Sequence, residues 1–218
     1  MRPILPVALL LFGIFPALAD AEAPRTNATE AAEASLKAAQ AEATRLETLR
    51  RSLSGWKTDA DATAIALHDM NRAAMKLAMA ATEDQNRWQQ AQNGWRGEAN
   101  AKMLAEQAIK FQRPPPDTGD ADLKAASAAL RERLEHARTA VADFNKAGLT
   151  GKPEQKRLML DQCHALVTTL FSTAQASDTL RALLDTRLTD LDTQRLLLRG
   201  QSAALTRPTL PTPPGQKP

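Results

Sequence analysis

The chain has 218 residues, no tyrosine, 4% aromatics and 9 glycines. Sandwiches and barrels need β-branched and aromatic strands and many glycine turns, so the expected class is all-α. Lys plus Arg number 28 against 25 Asp plus Glu, a formal net charge of +3 without a basic block, so no nucleic-acid footprint is expected. A single cysteine forms no internal disulfide.

The first predicted element is a leader. "MRPILPVALLLFGIFPALAD" has one positive charge at Arg2, an apolar run from Ile4 to Phe15, and Ala17-Leu18-Ala19 as an A-x-A cleavage site. This is the pattern of a secretory signal peptide over residues 1–19, with the mature chain starting near Asp20. The run is too short for a relaxed membrane span, and no second apolar run follows, so no transmembrane segment is expected after cleavage. The expected location is outside the cytoplasm, in a bacterial periplasm.

A helical domain is predicted over residues 20–206. From Thr29 to Leu53 the residues Leu36, Ala39, Ala43, Leu46 and Leu53 recur at three and four spacings, a narrow coiled-coil-like stripe. Ser54-Gly55 predicts a stop, and Thr58 with Asp61 resembles a capping box for a second helix. There Met70, Ala74, Leu77, Ala81, Trp88, Ala91 and Trp95 share one face, and Asn93-Gly94 with Gly97 predicts a kink. The prolines of "RPPPDTGD" end that helix. A third helix is predicted from Asp120 to Lys146, with Leu123, Leu130, Leu134, Ala137, Val141 and Phe144 inward. Gly148 to Pro153 predicts a turn, and a long last helix to Ala204 turns Leu160, Cys163, Val167, Leu170, Ala174, Leu184, Leu188 and Leu191 inward. The proline-rich remainder, residues 207–218, is expected to be a disordered tail. Short linkers make successive helices antiparallel neighbours, so the expected architecture is an elongated antiparallel helical bundle of about four principal helices, the second kinked.

Three sets of residues invite a chemical reading. Cys163 lies beside His164, but a c-type haem needs Cys-x-x-Cys-His and Leu160 stands at the first cysteine position. Flanked by inward leucines, Cys163 reads as a core residue, as do Trp88 and Trp95 seven residues apart. His68, Met75 and Met79 return to one face of the second helix, and thioether with imidazole suits copper in an exported protein. Arg72 on that face would repel a cation, and methionine also fills helix contacts. Asp59-Ala60-Asp61 and Asp120-Ala121-Asp122 are expected to cap helix starts. No phosphate loop, zincin, nucleophile-elbow or EF-hand motif is present in the sequence.

The expectation is a non-enzymatic exported protein without a cofactor. It would act through a protein partner or self-association, as a scaffold, chaperone-like clamp or envelope-apparatus component. The alternative is a small periplasmic binding protein for copper or another ligand, using the His68, Met75 and Met79 face and a cleft near Trp88 and Trp95.

Overall fold

The structure, a computed structural model, describes residues 23–147 and 156–205. The signal peptide expected at residues 1–19, the turn expected at 148–153 and the tail expected at 207–218 lie outside the described residues. The described residues are helical without strands: α1 (Ala23–Ala80), α2 (Gln85–Trp95), α3 (Gly97–Lys110), α4 (Ala121–Ala147) and α5 (Lys156–Leu205). α2 and α3 form one bent rod, so the principal helices are four and the second is kinked. Among the described residues no helix is long and apolar enough to cross a membrane.

Each helix packs on its neighbours in antiparallel order. As partner numbers on α1 rise from Glu47 to His68, those on α5 fall from Arg195 to Asp178. Thr63 of α1 meets Gln107 of α3, Trp95 meets Asn145 of α4, and Asp120 at the α4 start meets Arg187 of α5. The ring is therefore α1, α2 with α3, α4, then α5 back onto α1, each antiparallel to the next. Its core holds Leu67, Leu77, Leu104, Leu123, Leu130, Leu134, Leu170, Leu180 and Leu184, all fully buried. The apolar periodicity of α4 and α5 explains this directly: every predicted inward residue of α4 is buried.

The first helix boundary differs from expectation. α1 runs unbroken through Ser54-Gly55, and Thr58 donates to the Ser54 carbonyl at 3.0 Å instead of capping a new helix. One glycine costs a helix only about 1 kcal/mol. Burial of Leu53 and Ala60 on either side outweighs that. The chain reverses instead at residues 81–84, where Asp84 caps α2 by accepting the Arg87 amide at 2.8 Å. Asp59 and Asp61 consequently lie inside α1 and make ion pairs, whereas Asp120 does cap α4, accepting the Asp122 and Leu123 amides.

The kink falls at Arg96, which adopts φ 50 and ψ 52. A left-handed residue other than glycine is held by its surroundings. Trp95 is buried edge-on to Phe144 with ring centroids 5.9 Å apart, and its Nε1 donates to Asn145 Oδ1 at 2.9 Å. Asn100 Nδ2 donates to the Trp95 carbonyl left free by the break. Gly97 lets Asn145 approach so closely that a Cβ there would lie 2.5 Å from its oxygen.

The four-helix section does not extend along the full length of its longest members. α1 spans 58 residues, about 87 Å at 1.5 Å per residue, while α4 spans 27. From Glu30 to Arg45 no side chain is buried, and none on α5 is buried from Asp192 to Ala204. The two helices run on together past the Pro114–Pro116 connection as a two-helix extension.

Candidate functional site

Cys163 is fully buried among α5 neighbours Leu160, Leu166, Val167 and Leu170. Burial pushes its thiol up to about 11, so at neutral pH it is protonated and unreactive. His164 points away from it and is exposed, as one residue along a helix turns the side chain by about 100°. The neighbours in sequence form no site. Trp88 and Trp95 are also buried, and the inner side of the α2–α3 break is packed by Phe144 and Asn145.

His68, Met75 and Met79 do share one exposed side of α1, but they are spread along it. His68 and Met75 are two turns apart, about 10 Å, with Met79 one further turn on. His68 Nε2 is taken up by Asp178 Oδ2 of α5 at 2.9 Å, while Met75 and Met79 are 50% and 65% exposed. Among the described residues no group of three His, Cys, Asp or Glu is close enough to hold a metal ion.

What the fold does assemble is an ionic ladder along the outer seam between α1 and α5. Asp61 Oδ1 sits at its centre, 2.7 Å from both Lys57 Nζ and Arg181 Nε. Lys57 also reaches Asp185 at 3.3 Å, and Arg181 bridges to Asp178, the partner of His68. Toward the extension, Arg50 binds Asp192 at 2.6 Å, and Arg195 joins Asp192 to Glu47. The hydrogen bond from Lys57, then that from Arg181, holds the Asp61 carboxyl below its ordinary range despite partial burial. Arg50 does the same for Asp192. The partners that meet across the seam lie more than 100 residues apart, so spacing within one helix shows only the local pairs, Lys57 with Asp61 and Asp178 with Arg181. The signal available was a repeat of single charges along the flank of each apolar stripe.

The ladder ends in a groove of about 490 Å³ lined by Ala43, Thr44, Glu47, Thr48 and Arg51 of α1 and Arg195 and Arg199 of α5. Thr44 and Thr48 spend their hydroxyl protons on the carbonyls of Gln40 and Thr44. Three guanidiniums face one carboxylate, which leaves the groove with two surplus positive charges. Glu47 is already engaged by Arg51 and Arg195, and Arg199 has no carboxylate partner among the described residues. Beside it Leu196 is 68% exposed. The arrangement can hold carboxylates; it presents neither a nucleophile nor a base with an orienting partner.

In comparisons with known proteins, no family model, curated protein or solved structure matched this chain.

Proposed function

We propose that this is an exported, non-enzymatic helical protein that works by binding protein through its long helical faces, as a scaffold, clamp or envelope-apparatus component. The observation that carries the reading is the two-helix extension: α1 continues through Glu30 to Arg45 without burying a side chain, beside a uniformly unburied α5 end. A helix pair of that length loses conformational entropy without a core to compensate, and a partner surface supplies the missing burial. The signal-like N-terminus supports export, since it has the charge, apolar run and A-x-A site of a cleaved leader.

The test joins both halves. A photo-crosslinking residue is placed at Ala38 or Ala41, exposed on the extension, and the protein is expressed with its own leader in a bacterium. The expected result is a chain in the envelope fraction beginning near Asp20, with a discrete crosslinked protein adduct. A full-length chain retained in the cytoplasm, or adducts no different from those at an exposed bundle position such as Glu132, rejects the reading. The copper-binding alternative rests on the His68, Met75 and Met79 face, in which the two exposed thioethers stand one turn apart. It predicts Cu(I) binding that Met75→Leu with Met79→Leu abolishes.

A further inference from the structure

We infer that the extension is a self-association surface, and that its occupant is the same extension of a second copy of this chain in antiparallel orientation. The inference rests on the interaction reading above and names the partner.

The argument starts from helix geometry. Eighteen residues make five turns of an α-helix, so Glu30 stands on the same side of α1 as Thr48, and Glu33 on the same side as Arg51. Thr48 and Arg51 line the arginine groove. One face of the extension therefore carries two acids near its tip and, about 27 Å further along, the basic groove near its root. Glu30 and Glu33 are exposed and make no ion pair among the described residues, and Arg199 in the groove has no carboxylate partner among them either.

Two negative charges at one end and two surplus positive charges at the other make this face complementary to itself when reversed. A two-fold axis near position 40 brings Glu30 and Glu33 of each copy to Arg51 and Arg199 of the other, both contacts forming at once. That is the isologous pairing of a closed dimer. Between the charges, exposed Lys37, Gln40 and Thr44 lie on that same side of the helix, with Ala41 and Ala34 along its edge. In the pair, the long stem of Lys37 covers the facing helix while its ammonium stays in water. The exposed Leu196 adds apolar surface at the groove. Parallel pairing sets tip on tip and groove on groove and is repelled at both ends, so orientation is specified as well as partner. Because the charges are exposed, the association is expected to be salt-sensitive.

The experiment is sedimentation equilibrium on the purified chain at low and high salt, with two charge-reversed variants. Glu30→Lys with Glu33→Lys makes tip and groove both basic; Arg51→Glu with Arg199→Glu makes both acidic. The expected result is a dimer of the unaltered chain that dissociates in about 1 M salt. Each variant alone is monomeric with an unchanged circular-dichroism melt, and mixing the two restores the dimer mass. Reciprocal restoration is what a merely damaged fold cannot produce. A monomeric unaltered chain, a dimer that survives both reversals, or a mixture that stays monomeric each overturns the proposal. Failure here with correct export and adducts to another protein leaves the broader reading intact; a restored dimer in a chain that is never exported does the opposite.

Discussion

A methyl group at position 97 would stand 2.5 Å from the Asn145 oxygen that accepts the Trp95 indole proton. Asn145 cannot yield without leaving a buried N–H unpaired, so Gly97→Ala is expected to destabilise the protein by about 1–3 kcal/mol. Gly94 lies three residues earlier with open space around it near the end of α2, and Gly94→Ala is expected to stabilise by about 0.5–1 kcal/mol. Chemical-denaturation midpoints of the two variants, shifted in opposite directions, check the claim that close approach and not chain freedom requires the glycine at 97. Equal shifts would remove it. The same scale decides Cys163. Fully buried and with its pKa raised to about 11, it is expected to resist a bulky disulfide reagent at neutral pH and to react completely once guanidinium unfolds the chain. A native reaction rate matching free cysteine would mean that α5 is not packed as described.

At the scale of elements, apolar spacing was a reliable guide to faces and a poor one to ends. The inward residues of α4 and α5 could be read because a 3.6-residue repeat survives any arrangement of neighbours. The turn at residues 81–84 could not, since it has neither glycine nor proline and is marked only by Asp84 as a cap. Gly55 misled for the converse reason: a breaker within a helix yields to the packing around it, which no single segment displays. Gly55→Ala, with nothing within 4 Å of the new methyl, is accordingly expected to raise stability by about 0.5–1 kcal/mol, where a genuine turn glycine would lower it. The cross-helix contacts of the ladder on the α1–α5 seam were also out of reach, because those partners meet only after the helices are paired, whereas its local pairs such as Asp178 with Arg181 follow from helix spacing. It contributes a pH dependence of definite sign. Asp61 has a folded pKa below its unfolded value, so its contribution is complete above the unfolded carboxylate range and fades as pH falls through the folded value. Thermal melts are expected to be level from neutral pH to about 5 and to decline below about 4. Asp61→Asn is expected to lower the neutral plateau and flatten the acid decline; with the carboxylate one-third exposed, that loss stays near or under about 1 kcal/mol. A variant that declines as steeply as the parent would place the acid sensitivity elsewhere.

For the whole molecule, burial is unevenly spread along helices that are locally uniform. Ala60, Leu67, Leu77, Leu130, Leu134, Leu170 and Leu184 are fully enclosed by neighbouring helices, whereas residues 30–41 of the same α1 have no enclosed side chain. Backbone hydrogen bonds of an exposed helix end open by fraying, while those of the enclosed section open only when the bundle does. Continuity of α1 does not make its stability continuous. Amide exchange in the monomeric charge-reversed variants is therefore expected to rise steeply from the enclosed middle of α1 toward residues 30–41, with the enclosed parts of α4 and α5 exchanging at the slow global rate. In the dimeric chain, antiparallel pairing would close the opening route at residues 30–41, and protection there should increase with protein concentration while the bundle interior is unchanged. Concentration-independent exchange over residues 30–41 would leave the extension a frayed helix end. A concentration-dependent gain confined to it would tie the surplus length of α1 and α5 to the partner that covers them.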